Sequence, residues 1–391
     1  MSATVTRRAP GKLFVAGEYA VLEPGQPAIV VALDRYITVT VSAADGAEVV
    51  VDSDLLDHEV PLHRSEGTLY ALAPADAEHV RGTLAHLVST VEVIEQLRAE
   101  QGLTPEPLRL TVRSRLHEQG SKIGLGSSAA VTVAATGAVT GYYGMRLSPE
   151  ARFRLALLAS VRIDAGPSGA DLAASTWQGW IAYRSPDRDA LRRSLHLRGI
   201  AKTLRAPWPG LSIRTLPPPR DLALRVGWTG SPASTSALVA NLTAGEWWRS
   251  SARADFLADS ERWVTAAVRA LERGEPEALL HAVRAARHLL ARMDADAALG
   301  MFTERLIRLC DTAEACGAAA KPSGAGGGDC GIALLPAHHS PSALQTRWAE
   351  AGITTLPLQV PHPGTTPGFE EHHAGHGTPA DPVSASQRGR P

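Results

Sequence analysis

The sequence has almost no lysine, few cysteines, no excess of either charge and no long apolar run. Only Lys12, Lys122, Lys202 and Lys321 among its 39 cationic side chains are lysine; the other 35 are arginine. With alanine abundant, the skew has the look of GC-rich coding and carries no function by itself, but it makes every lysine worth inspecting. Forty acidic side chains balance the 39 basic ones to a net charge of −1, so there is no broad basic field and nucleic acid is not an expected partner. The three cysteines, Cys310, Cys316 and Cys330, are odd in number and lack CxxC spacing. That argues against a disulfide framework or zinc site and for a reducing, cytoplasmic setting. No apolar run approaches the ~20 residues that cross a bilayer, so no membrane partner is expected. The stretch after Arg7-Arg8 is interrupted by Lys12, Gly17 and Glu18 and does not read as a secretory signal.

What is present is globular: 44% hydrophobic and 20% charged residues in a chain of 391. At ~100–200 residues per domain the length suggests two. Residues 28–43 and 108–116 read as strands, 77–100, 128–143 and 150–161 as helices. Pro217-Pro218-Pro219 marks a joint, predicting domains over 1–216 and 217–362. After it, 222–228 reads as strand, 250–273, 276–292 and 299–316 as helices, 332–335 as strand, 341–351 as helix and 353–360 as strand. That order fits an α+β domain of ferredoxin-like type with inserted helices. Residues 363–391 hold five Pro, five Gly and five apolar residues, which predicts a disordered tail. His372, His373 and His376 sit there without anything to fix metal geometry.

Glycine gathers in three segments. Ala9–Leu22 leads through Pro10-Gly11 into a strand carrying Lys12 near its start, and Gly17 ends that strand before Glu18-Tyr19. Gly120–Ala130, Gly-Ser-Lys-Ile-Gly-Leu-Gly-Ser-Ser-Ala-Ala, lies between a strand and a helix. Such a loop exposes successive N–H groups at a helix N-terminus and can hold phosphate oxygens; Ser127 and Ser128 can cap the helix, bind phosphate or ligate Mg²⁺. It is neither a Walker A loop nor a dinucleotide fingerprint. Lys321–Ile332 carries three consecutive glycines ahead of an apolar strand, a costly run that lets something approach the backbone closely. A fourth segment, 164–176, places Asp171 after a Pro-Ser-Gly turn, where it could equally be a helix cap.

In this order and spacing the segments resemble the GHMP kinase superfamily over residues 8–360. Gly17-Glu-Tyr-Ala-Val-Leu-Glu23, Val226–Thr235 and Ser323–Ala333 resemble most the branch whose acceptor is 5-phosphomevalonate; the sibling branch that phosphorylates mevalonate tends to have histidine at the position of Tyr19. The resemblance implies a ribosomal-S5-like α/β N-terminal domain and a ferredoxin-like C-terminal domain, with ATP and a small-molecule acceptor in the cleft between them and Mg²⁺ as cofactor. It implies that Lys12 and Asp171 are catalytic and that Lys122, Gly124, Leu125, Gly126, Ser127, Ser128 and Ala129 bind ATP. Ser128 and Asp171 would meet the metal. Glu18, Tyr19, Ser168, Thr229, Ser231, Ser234, Thr235, Ser323, Gly324, Ala325 and Gly326 would face the acceptor, with Arg162 and Arg184 as further charges. One departure is expected to matter: mevalonate kinases carry a magnesium-binding glutamate upstream of the catalytic aspartate, and here the matching stretch is Ala159-Ser160-Val161-Arg162, with Asp164 the nearest acid. Asp171 is expected to act chiefly by orienting Lys12 and the metal, because a phosphate acceptor is already largely dianionic near neutral pH. Rival readings are a mevalonate kinase and a non-catalytic regulator on the same fold. Monomer and homodimer are both compatible with the chain. Lys12, Lys122 and Lys321 all fall in the glycine-rich segments, where a compact ammonium would suit phosphate better than arginine's planar fork.

Overall fold

The computed structural model describes residues 4–46, 48–118 and 121–361, the side chains of residues 118, 121 and 122 excepted. The predicted tail and its three histidines lie outside these residues. The spine of the N-terminal half is the strand Pro27–Ala43, whose first seven residues are all buried and whose remainder alternates. One edge pairs antiparallel with Val5–Ala16. The other pairs with Trp180–Arg184 along residues 27–31 and with Leu108–Ser114 along 37–43. The sheet is completed by Val49–Ser53, Val60–Ser65, Thr68–Ala71 and Ser212–Leu216. The helices Ala85–Ala99, Ser127–Tyr142, Pro149–Ile163 and Ala170–Trp177 pack against one another, and the second and fourth of them lie on the two longest strands.

The strand Val5–Ala16 runs straight through Pro10-Gly11 rather than starting after them. Its ladder slips there: Pro10 faces Tyr36 but Lys12 faces Ala32. Such an irregularity re-aims side chains and bends the strand. Pro10 has no donor to give, and a Cβ on Gly11 would sit 2.8 Å from the Leu125 carbonyl oxygen. The slip therefore brings the Lys12 backbone against the loop at 123–126, with Lys12 N donating to Leu125 O at 2.8 Å.

The sheets part between Leu216 and Leu222, across the three prolines. The second sheet is antiparallel in the order Ala319–Pro322, Cys330–Pro336, Leu222–Trp228, Thr354–Leu356. In chain order that is 2-3-1-4, the ferredoxin-like arrangement. The strand Ala319–Pro322 escapes sequence reading because Ala-Ala-Lys-Pro has no β-branched residue. Other boundaries move for local reasons. Gly82 and Thr83 divide the expected 77–100 helix into Ala77–Arg81 and Ala85–Ala99. The 299–316 helix begins only at Glu304, where the Thr303 side chain caps it. The 353–360 strand is regular only over Thr354–Leu356. Helices Ser251–Arg273 and Pro276–Ala297 pack on each other and reach the strands Pro27–Ala43 and Val5–Ala16, joining the two halves. Among the described residues no helix is long and apolar enough to cross a membrane.

Candidate active site

The helix Ser127–Tyr142 starts from Gly126, held at φ 76°, and no side chain caps its N-terminus. Of the roles open to Ser127 and Ser128, capping is therefore excluded. Ser127 is half-buried, Ser128 exposed, and neither hydroxyl bonds to the protein among the described residues. The first-turn amides keep their partial positive charge for an external anion. The loop can be only glycine at two points. Gly124 has φ 76°, and a Cβ there would lie 2.5 Å from Asp329 Cβ; a Cβ on Gly126 would lie 2.9 Å from Lys12 Cε. Both glycines are sites of close approach, one by a carboxylate and one by a lysine.

The lysines divide. Lys12 is 9% exposed, yet among the described residues its ammonium has one hydrogen bond, to the Gly124 carbonyl at 3.5 Å, and stands 5.6 Å from the Phe14 ring centroid. Among the described residues it forms no ion pair. Lys321 is fully buried, pairs with Glu18, and also donates to the Pro322 carbonyl at 2.8 Å. The expectation that Lys321 meets phosphate is thus corrected: its charge is already matched. A nearly buried cation without a counter-ion is unfavourable, and Lys12 is the one placed to be relieved by an incoming anion. The Lys122 side chain lies outside the described residues.

Asp171 stands in the first turn of Ala170–Trp177, whose N-cap is Gly169 at φ 82°, so it is not the cap residue. One turn on, Ser175 donates to the Pro10 carbonyl at 2.8 Å and ties the helix to the Lys12 strand. Asp171 Oδ1 accepts from the Leu172 amide at 3.0 Å, and no ion pair joins Asp171 to Lys12. The expected orientation of Lys12 by Asp171 has no contact behind it. In the stretch 159–162, where a glutamate is expected and is lacking, Ser160 is half-buried in the last turn of Pro149–Ile163. Among the described residues no group of three or more His, Cys, Asp or Glu could hold a metal. An exposed hydroxyl and a carboxylate with one amide partner are hard oxygen donors. They suit Mg²⁺, which usually takes one or two carboxylates plus substrate phosphates.

Several residues expected to face the acceptor instead clasp the first and third glycine segments together. Glu18 is consumed by Lys321. The Tyr19 hydroxyl donates to the Ala325 carbonyl at 2.6 Å, and burial pushes its pKa up. Ser323 Oγ accepts from Phe14 N at 2.8 Å and donates to Phe14 O at 2.9 Å, replacing a backbone partner. Gly326 is closed off by Met301, whose Cγ would lie 2.3 Å from a Cβ. Ser168 Oγ accepts from Ala170 N, while its carbonyl accepts from the buried Tyr183. Thr229 is fully buried and donates to Asp329 O at 3.0 Å. Ser231, Ser234 and Thr235 remain exposed, with Ser234 capping the helix Thr235–Ala244, and Gly324 has open space at its Cβ position. Arg162 pairs with Glu92 and Arg184 with Glu261, so neither is a spare charge.

Sequence reading missed Asp329. Its only signal was an acid directly after three glycines. The structure sets it at φ 52°, its Oδ1 accepting from Ala233 N at 3.2 Å. Burial raises its pKa, while the Ala233 amide and Lys12 pull it back.

Comparison with known proteins bears on the family and the fold. The family model described as GHMP kinases N terminal domain matches residues 86–179, and the one described as GHMP kinases C terminal matches 267–354. The phosphomevalonate kinase of Streptomyces sp. (strain CL190) is 52% identical over 91% of this chain and 96% of its own. A mevalonate kinase of Thermococcus sibiricus is 26% identical over 88% and 93%. The Streptococcus pneumoniae phosphomevalonate kinase in complex with phosphomevalonate and AMPPNP superposes with a TM-score of 0.80 at 29% identity, over 91% of this chain and 99% of that one. A Listeria innocua protein superposes at 0.83 with 31% identity, over 92% and 98%.

Proposed function

The chain belongs to the GHMP kinase family, and from that premise we propose that it transfers the γ-phosphoryl group of ATP to 5-phosphomevalonate, giving 5-diphosphomevalonate and ADP. The observation that carries the assignment to this site is Lys12, a nearly buried ammonium with one long hydrogen bond, set beside an uncapped helix N-terminus. Phosphoryl transfer asks for positioning and charge stabilisation more than for covalent help. The loop 124–129 wraps the nucleotide phosphates with its amides. Lys12 gives up its weak bond to Gly124 and meets the transferring group. An oxygen of the acceptor phosphate bonds to the γ-phosphorus as the bond to the β,γ-bridging oxygen breaks, and ADP leaves with that electron pair. The acceptor's second pKa lies near ~6, so near neutral pH it arrives largely as the dianion and a general base has little to remove. Asp171 therefore works through charge and placement. Mg²⁺, held by nucleotide phosphates with Ser128 and Asp171, would supply charge neutralisation between the two anions. A reducing compartment such as the cytoplasm suits the three unpaired thiols.

The test is ADP release with mevalonate, 5-phosphomevalonate and 5-diphosphomevalonate in parallel. Turnover on 5-phosphomevalonate is expected. Turnover on mevalonate alone would reassign the chain to the sibling branch, and nucleotide binding without turnover on any of the three would point to a regulator or to a different acceptor.

A further inference from the structure

Lys12 needs something to hold it before a phosphate arrives. The residue expected to do so, Asp171, forms no ion pair with it. Asp329 is better placed. Its backbone is woven into the acceptor-side loop: its N donates to Ser231 O at 2.7 Å, and its O accepts from Thr229 N at 2.9 Å. Its Oδ1 takes the Ala233 amide at 3.2 Å, in the same loop. The other side of the carboxylate rests on the phosphate loop, for a Cβ on Gly124 would lie 2.5 Å from Asp329 Cβ and 2.7 Å from Oδ2. Gly124 is also the residue whose carbonyl takes the Lys12 ammonium, at 3.5 Å. Asp329 and Lys12 thus meet the same glycine, and the Lys12 charge is felt at the Asp329 carboxyl. Among the described residues the carboxyl meets Gly124 and the amide of Ala233, feels the charge of Lys12, and has the buried thiol of Cys330 next in sequence.

We propose that Asp329 is a positioning residue for phosphoryl transfer: its carboxylate, wedged between Gly124 and the Ala233 amide, locks the acceptor-side loop 229–233 to the phosphate loop and sets where Lys12 points. It does not touch the reacting atoms. It acts through Lys12 and Gly124, and it makes the position of the acceptor loop a condition for a competent phosphate loop. The proposal rests on the phosphotransfer reading above.

The experiment compares Asp329→Asn and Asp329→Ala with wild type, reading kcat and KM by ADP release with whichever acceptor the wild type turns over, together with melting temperature. Failure of the acceptor assignment then shows in the wild type alone and leaves the comparison intact. Asn keeps the size and an oxygen for the Ala233 amide but removes the charge. A misplaced catalytic group costs on the order of 10²-fold. The expected result is a kcat for Asp329→Asn down by about 10–100-fold, an ATP KM within about threefold of wild type and an unchanged melting temperature. Asp329→Ala should lose as much kcat and also melt earlier. A wild-type kcat in Asp329→Asn overturns the proposal, whatever the alanine variant does, because a purely structural role is met by asparagine. A rise in ATP KM with kcat unchanged overturns it too, since that marks ground-state nucleotide binding.

Discussion

Replacing Lys12 by arginine tests the reading of the site more sharply than deleting it, because the charge is kept. The Lys12 side chain runs close along the phosphate loop: its Cε lies 2.9 Å from where a Cβ on Gly126 would be, and its ammonium is 3.5 Å from the Gly124 carbonyl and 5.6 Å from the Phe14 ring centroid. A guanidinium is planar and places three nitrogens where one stood. It cannot reach the Gly124 carbonyl side without pushing on the phosphate loop. Removing one preorganised donor to a developing charge costs about 10²–10³ in kcat, or roughly 2.7–4 kcal/mol. Lys12→Met is expected to show that loss, and Lys12→Arg to fall within about tenfold of it, since a misdirected donor stabilises little. Lys202, exposed on the helix Arg188–Arg205, is the control: Lys202→Arg should match wild type. ADP release gives kcat, and equilibrium titration with a non-hydrolysable ATP analogue separates lost chemistry from lost binding. If Lys12→Arg retains activity within about threefold of wild type, charge alone suffices and the point-charge reasoning fails.

The other buried lysine should behave oppositely. Lys321→Met leaves Glu18 buried and unpaired and should cost about 3–5 kcal/mol in denaturant unfolding, whereas Glu18→Gln combined with Lys321→Met should recover most of it. Burial pushes the Cys310 thiol up to about 12 and Cys330 higher still, so a maleimide at neutral pH should label only the half-buried Cys316 of the folded chain, with all three reacting in urea. On the acceptor side, the dianion is the nucleophile. Turnover at subsaturating acceptor should therefore fall as pH drops through ~6, by about tenfold per unit below it; a flat profile down to pH 5 would mean the monoanion reacts.

Much of the fold is legible in the sequence because period and punctuation agree. The strand Leu222–Trp228 and the helix Ser127–Tyr142 follow from apolar spacing and flanking glycine. What fails is what depends on partners distant in sequence. Ala319–Pro322 is a strand only because Cys330–Pro336 returns beside it after the glycine loop. The same limit governs the site. Glycine runs point correctly to close approach, but the sequence does not say what approaches: Asp329 and Lys12 at one loop, Met301 at the other. Tyr19, Ser323 and Glu18 look like substrate ligands from their motifs, yet each is spent joining segments roughly 300 residues apart, as Ser323 and Phe14 show with a separation of 309. Residue type does not separate Lys12 from Lys321 either; only the presence of a buried counter-ion does.

The charge inventory around the phosphate loop gives the last step. Among the described residues Lys12 has only the Gly124 carbonyl, at 3.5 Å, to hold its ammonium, and its charge is felt at the Asp329 carboxyl. The nearby arginines are committed: Arg162 to Glu92, Arg184 to Glu261, Arg188 to the carbonyls of Ala165 and Leu22, Arg305 to the carbonyl of Thr229. Arg162 and Arg184 are thus matched by acids, Arg188 and Arg305 keep their charge but are held by carbonyls, and the reaction must bring two phosphate-bearing anions into contact. Compensation is also available from groups that carry no net charge of their own, the amides of a glycine loop at an uncapped helix N-terminus. On the proposal made for Asp329, the loop 229–233, whose Ala233 amide bonds that carboxylate while Gly124 lies against it, is where the arrival of one substrate would be felt by the other.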